Sequence, residues 1–242
     1  NDGSWRTAIL LGSSVGADVA VIALDIASAP SCLLDGKAMP LGLSPQAALP
    51  KQGETVVVCG ASQHGIEPIG LAGLVSHPRQ RFRDVAEESS VRFVQLAVTT
   101  LPGMSGSPVL SSNGEVVAML AKKFEEHGLA LPAAHVANAA ARLEAGLTWT
   151  RPVLGLQMDG CGPAVDPCIR VTGLQEAGPA KAAGVCVGDK IVSIANQRVG
   201  TVLDVKEILA LLAHKADANG RIDIQVTVNR GGTIKHFVCE CV

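Results

Sequence analysis

Eight short apolar runs fill the first part of the chain, punctuated by Gly, Pro and Ser, with no helix-period pattern between them. They lie at 5–11, 18–25, 54–61, 70–76, 92–98, 107–111, 116–122 and 128–132. Runs this short, bounded by turn formers, read as strands rather than helices. Many short strands at even spacing build an all-β barrel or sandwich. Asn113 and Gly114 lie between two of the runs and read as a tight hairpin turn, because both residues tolerate positive φ. Aromatic residues make up only 2% of the 242, with no Tyr, so the cores must be built from Val, Leu, Ile and Ala. Little is left from which to build base-stacking platforms for single-stranded nucleic acid.

The pattern changes at 133–145, an Ala-rich stretch of good helix formers that Gly146 can cap. A linker follows at about 147–152, where Pro152 stops any helix. Beyond it a different unit is expected, with strands at 153–158, 168–174, 189–199, 221–229 and 233–242 and helices at 178–184 and 203–214. Leu203, Ile208, Leu209 and Leu212 fall broadly on one face of the longer helix, and Asp204 in its first turn suits the helix dipole. Gly231 and Gly232 join the last two strands as a hairpin.

Twenty basic residues balance 22 acidic ones, a net charge of −2, which supplies no strong field for nucleic acid or an anionic membrane. No run of about 18 apolar residues is present to span a bilayer. The charged stretch at 122–126 reads as a solvated loop. No secretory signal opens the sequence, and the first residue is Asn, as in a processed or incomplete chain. The seven cysteines (32, 59, 161, 168, 186, 239 and 241) are odd in number, and several sit in apolar runs. They read as buried thiols in a reducing compartment, a mitochondrion, plastid or cytosol rather than a periplasm. Cys161 and Cys168 lack a usual zinc spacing, and no second CxxC or His pair completes a metal site.

The chemistry-bearing segment is TTLPGMSGSPVL at 99–110. A serine nucleophile needs a base, donors for the oxyanion and a bent backbone that turns Oγ and nearby N–H groups to one point. Gly103 and Gly106 around Ser105 permit the bend, and the N–H groups of Gly103, Met104 and Ser105 can form a donor nest. A plain β-turn would read the same way. Asp18, heading an upstream strand, suits the orienting of a base and equally suits a turn at a strand start.

The succession DVAVIALD, GETVVVCGASQHG, VQLAVTTLPGMSGSPVLSSNGEVVAML and GLALP, followed by AGPAKAAGVCVGDKIVSIAN, resembles the HtrA/Deg family of trypsin-like serine endopeptidases with PDZ domains. The resemblance runs from about residue 5 to 242. It implies a mostly β chain: a chymotrypsin-like double β-barrel, its first barrel incomplete, followed by an α+β PDZ domain. The protease domain would cover 1–147, with 1–45 the remnant of the first barrel and 46–147 the second barrel and C-terminal helix; the PDZ domain would cover 150–242.

Position by position, the resemblance makes Ser105 the nucleophile, Asp18 the acidic triad member, and Gly103 and Ser105 the oxyanion donors. It places Thr99 at the floor of the S1 pocket and Gly128, Leu129, Ala130 and Leu131 along its wall. A neutral Thr there suits small or medium apolar side chains at the cleavage site. Leu154, Gly155 and Leu156 match the carboxylate-binding loop and strand of the PDZ domain, and Ile208 and Leu212 its hydrophobic pocket. A peptide C-terminus would pair there with an exposed edge strand. Core packing is the competing reading for these apolar side chains, for Leu212 above all.

Two departures stand out. The family's NPGNSGGP is LPGMSGSP here, with Met104 for a polar residue and Ser107 for a glycine. The triad histidine should precede Asp18, but none of the 17 residues before it is His; the six histidines are 64, 77, 127, 135, 214 and 236. His64 and His127 read as loop residues rather than substitute bases. Losing the base of such a triad costs on the order of 10⁶ in turnover, so the chain by itself is expected to be proteolytically silent. The expectation is a serine endopeptidase of protein quality control in which an upstream part, beyond these 242 residues, carries the base. The alternative is a non-catalytic pseudoprotease whose PDZ domain recruits peptide C-termini. No cofactor, metal or nucleic acid is implied; the implied partners are unfolded or partly folded proteins, peptide C-termini and, by resemblance, further copies in a trimer.

Overall fold

Val56 and Val58 have no exposed surface, while Thr55 and Val57 between and before them are less covered. This period of two sets β3 (Thr55–Gly60) with one face to a core. The computed structural model describes residues 7–24, 41–63, 68–80, 92–147, 149, 151–162 and 167–241. The chain divides into two compact units, Asn1–Trp149 and Thr150–Val242.

In the first unit β3 joins β4 (Ile69–Gln80), β5 (Phe93–Ala97), β6 (Pro108–Ser111), β7 (Val116–Phe124) and β8 (His127–Pro132) in a closed barrel of order β3-β4-β5-β8-β7-β6. Its interior holds Val56, Val58, Val75, Leu96, Val109, Leu120 and Met104, all aliphatic or thioether, as the scarcity of aromatics requires. At the turn between β6 and β7 the Gly114 N–H donates to the Ser111 carbonyl at 3.0 Å, with Gly114 at φ +79°.

A separate hairpin pairs β1 (Ala8–Ser14) with β2 (Val19–Leu24). Helix α1 (Ala133–Glu144) packs against it. A β-carbon on Gly12 would lie 3.1 Å from Leu143 Cβ, so the strand runs close along the helix. Ala17 and Val19 join Phe93, Leu129, Leu131 and Val136 in a second core. Ile9, Leu10, Val15 and Ile22 keep more than half of their surface in solvent. The helix ends on Gly146 at φ +69°; its N–H donates to the Leu143 carbonyl and that of Leu147 to the Arg142 carbonyl, a Schellman closure.

The second unit is one antiparallel sheet of order β14-β13-β11-β10-β9, with β12 paired to β11. Its strands are β9 (Leu156–Cys161), β10 (Cys168–Leu174), β11 (Lys190–Ile194), β12 (Gln197–Arg198), β13 (Ile222–Arg230) and β14 (Thr233–Cys241). The single strand expected at 189–199 is broken by Ala195 and Asn196, which turn at φ 47° and 63°. The strand expected from 153 begins at Leu156, because Gly155 at φ +70° makes a loop first. Helices α2 (Pro179–Ala182) and α3 (Val202–Leu212) complete the unit. The Thr201 hydroxyl caps α3 by accepting from the Asp204 N–H at 3.2 Å, and the Asp204 carboxylate accepts from the Thr201 N–H at 2.7 Å.

Cys161 and Cys168 form a disulfide, which corrects the expectation of reduced thiols throughout. The antiparallel register of β9 and β10 sets them directly opposite each other, a relation that spacing alone does not reveal. Cys239 and Cys241 are buried free thiols, and burial pushes them up to about 11 and about 12.

Candidate active site

The loop between β5 and β6 bends at Gly103 and Gly106, with φ of +94° and +88°. It lifts Ser105 into solvent, while its neighbours Met104 and Ser107 are 0% and 7% exposed. Backbone bonds fasten it from inside. Met104 N–H donates to the Leu101 carbonyl at 3.2 Å, Ser107 N–H to the Met104 carbonyl at 3.0 Å, and Gly106 N–H to the Leu120 carbonyl at 2.7 Å. From the adjoining segment Gln63 N–H donates to the Pro102 carbonyl at 2.7 Å.

These bonds alter the expected donor nest. The Met104 amide is taken by Leu101, so it is not an oxyanion donor in this conformation; Met104 instead sends its side chain into the barrel core. Among the described residues no acceptor meets the N–H of Gly103 or of Ser105.

Ser105 Oγ donates to the Ala121 carbonyl on β7 at 3.1 Å. Ala121 packs against the core that contains Ala17 and Val19, the two neighbours of Asp18. Asp18 closes the turn from β1 to β2 at φ 55°, with its N–H on the Val15 carbonyl at 3.1 Å and its side chain exposed. Aspartate tolerates that left-handed region better than most residues.

Among the described residues no histidine bonds Ser105. His135 is buried, with Nε2 2.9 Å from the Ala17 carbonyl and its ring edge-on to Trp149 at 5.3 Å. His77 Nδ1 accepts from the Arg79 N–H at 3.0 Å, His236 meets Thr227, and His214 meets the Leu211 carbonyl. His64 lies outside the described residues.

Around the expected S1 pocket, Thr99 is exposed and its hydroxyl donates to the Glu126 carboxylate at 3.4 Å. The buried hydroxyl-bearing neighbour is Thr100, at 4% exposure. A β-carbon on Gly128 would meet Thr100 Cγ2 at 3.1 Å and Leu120 Cδ1 at 3.2 Å. Leu129, Ala130 and Leu131 have no exposed surface. Ala130 faces the barrel interior, and Leu129 and Leu131 face the core beneath α1. The side chains of these three therefore face inward rather than line an open pocket, contrary to expectation. An apolar run reads the same whether one of its faces is open or both are covered, which is why the sequence alone misled. Thr100 and Glu126 escaped the sequence reading because nothing in their spacing marks them.

In the second unit the loop into β9 is pinned by its backbone. The Leu154 carbonyl accepts from the Ala180 N–H at 3.0 Å, and the Gly155 carbonyl from the Gln175 N–H at 2.9 Å. A β-carbon on Gly155 would stand 2.7 Å from Gly178 Cα, so only glycine fits. β9 is an edge strand, and α3 packs beside it. Leu154, Ile208 and Leu212 are core residues here, each less than a tenth exposed, while Leu156 is half-buried. Among the described residues no cluster of His, Cys, Asp or Glu is arranged to hold a metal, and no helix is long and apolar enough to cross a membrane.

A trypsin-like peptidase domain matches residues 1–119, and a PDZ domain matches residues 170–225. The putative serine protease HhoB of Synechocystis is 26% identical over 226 residues, covering 85% of this chain and 52% of that protein. A probable periplasmic serine endoprotease DegP-like protein of Pseudomonas fulva is 28% identical over 233 residues, covering 90% and 46%. The fold is like that of the HtrA-type protease AlgW solved with a decapeptide, with a TM-score of 0.71 at 21% identity over 98% of this chain and 71% of that one. The chain has the domain make-up of an HtrA/Deg trypsin-like protease with a PDZ domain. This HtrA/Deg chain spans about half the length of the curated relatives it matches. Several of those relatives are named as periplasmic, which overturns the expectation of a reducing compartment drawn from cysteine count. Cysteine number misled because one pair is oxidised and two others are simply buried.

Proposed function

We propose that this chain carries the nucleophile and the peptide-binding module of an HtrA-type serine endopeptidase of protein quality control. Ser105 attacks the scissile carbonyl of an unfolded or partly folded protein. The amides of Gly103 and Ser105 stabilise the oxyanion, and water then hydrolyses the acyl-enzyme. Asp18 orients the base. The observation that supports this reading is the bent 103–106 loop, which exposes one hydroxyl beside two amides without acceptors among the described residues. Small or medium apolar side chains suit the cleavage site. The protease part is assigned to 1–147 and the PDZ part to 150–242, where the backbone of Leu154, Gly155 and Leu156 receives a peptide C-terminus and Ile208 and Leu212, packed in the core, back its pocket. The Cys161–Cys168 disulfide and the names of the periplasmic relatives support an oxidising compartment.

No histidine precedes Asp18 in the sequence, and the Ser105 hydroxyl faces a carbonyl rather than a base. These residues alone are therefore proteolytically silent, and turnover requires a histidine carried beyond them. The same two observations favour the alternative, a non-catalytic scaffold that recruits C-termini.

Casein hydrolysis by the mature natural protein, its N-terminus fixed by intact mass, separates the two. Turnover that Ser105→Ala and Asp18→Asn both abolish supports the protease. A mature protein with no upstream histidine, no turnover and intact binding of C-terminal peptides establishes the scaffold.

A further inference from the structure

The far end of β9 is built from residues that make poor strands. Asp159, Gly160 and Cys161 are followed by Gly162 at φ +90°. Asp and Gly are depleted in strands, and a glycine offers no side chain for cross-strand packing. β9 is also a sheet edge, so among the described residues β10 is its only neighbour in the ladder. At its near end the loop carbonyls of Leu154 and Gly155 are fixed by Ala180 and Gln175. At its far end the corresponding tie is covalent: Cys161 and Cys168 are register partners joined by a disulfide. Both cysteines are half-buried rather than enclosed, so a thiol reagent can reach them.

We propose that the Cys161–Cys168 disulfide is a redox-sensitive staple that holds β9 in the extended register a peptide needs for strand addition. The proposal rests on the peptide-binding reading of the second unit. Strand addition uses the backbone of the edge strand as its template, so the template's order sets how much the peptide must organise on arrival. The switch is thiol–disulfide exchange. One thiolate of a dithiol reductant attacks a cysteine sulfur and forms a mixed disulfide; its second thiol then displaces the remaining cysteine. Two electrons and two protons pass to the protein, leaving two thiols on β9 and β10 and a cyclic disulfide on the reductant. Cys239 and Cys241, buried and with thiols pushed up to about 11 and about 12, stay outside the exchange at neutral pH.

The test uses the full chain, oxidised or treated with dithiothreitol, beside Cys161→Ser/Cys168→Ser and a Cys186→Ser control. Amide hydrogen exchange is followed along β9 and β13. Binding is titrated with a fluorescein-labelled decapeptide ending in three valines, as free carboxylate and as amide. Reduction is expected to lower β9 protection about tenfold with β13 unchanged, and to weaken the carboxylate peptide about tenfold. The double serine variant should match the reduced chain, and the Cys186 control should behave as native. Unchanged β9 protection on reduction overturns the staple, whatever the peptide does. Loosened β9 with unchanged affinity overturns its coupling to binding. An oxidised chain that binds neither peptide, or both equally, overturns the peptide-binding reading and with it the staple's role, while the β9 data still report the strand itself.

Discussion

A β-carbon on Gly60 would stand 1.9 Å from the Ser107 hydroxyl oxygen and 2.9 Å from its β-carbon. The last residue of β3 thus gives up its side-chain volume to the residue two beyond the proposed nucleophile. In the family's sequence pattern position 107 is itself a glycine, so Ser107 brings bulk that Gly60 accommodates.

Gly60→Ala should force the 103–107 loop outward and cost about 1–3 kcal/mol. Gly60→Ala with Ser107→Gly should recover most of that loss, giving a coupling energy well outside error. Trp149 lies in the first unit with its ring edge-on to buried His135, so tryptophan fluorescence in urea reads that unit's unfolding. Additive single and double variants would refute the steric pairing.

Met104→Asn restores the polar residue that the family pattern carries. Met104 has no exposed surface and packs among Val58, Val109 and Leu120. An amide placed there loses water without a provided partner, at a cost of about 2–4 kcal/mol. The same fluorescence measurement checks it; a neutral outcome would mean that the loop turns the new side chain out to solvent.

Ser105→Ala should leave stability within about 0.5 kcal/mol. The hydroxyl is exposed, and its bond to Ala121 is one that water can replace. A larger loss on urea titration would give Ser105 a structural job and weaken its assignment as nucleophile.

In the second unit Arg230 grips Asp189, with Nε to Oδ1 at 2.7 Å and Nη2 to Oδ2 at 2.8 Å; the Cys186 N–H adds a bond to Oδ2 at 2.9 Å. The guanidinium's hydrogen bonds, opposed by burial and helped by the Cys186 amide, hold the carboxyl below its ordinary range. Because the folded value is depressed, the stabilisation is whole above the unfolded carboxylate value of about 3.9 and is lost as pH falls through the lower folded value. Amide exchange of β13 should therefore be steady from about pH 7 to 5, after correction for intrinsic rates, and lose protection below about pH 4. Asp189→Asn should cost about 2 kcal/mol at neutral pH and flatten that acid limb. An unaltered acid limb in the variant would show that another group controls it.

The barrel was legible because its strands are short, apolar and set off by turn residues; β3, β5 and β6 fall within a residue of their expected ends. Gly146 and Asp204 were legible as helix ends because capping is local chemistry. What depends on cross-strand pairing or on the path a loop takes was not. Cross-strand register joins Cys161 to Cys168. The Leu101 carbonyl, three residues back, removes Met104 from the donor set. Ala195 broke an expected strand by adopting positive φ, a state its residue type does not announce.

β8 lies between two cores, Ala130 in one and Leu129 and Leu131 in the other. A strand answerable to neighbours on both sides can drift only by exchanges that conserve volume. The rim, where Thr99 and Glu126 meet in solvent, carries no such double constraint. The wall formed by Leu129, Ala130 and Leu131 is held from both faces, so one exchange there is felt by two cores at once.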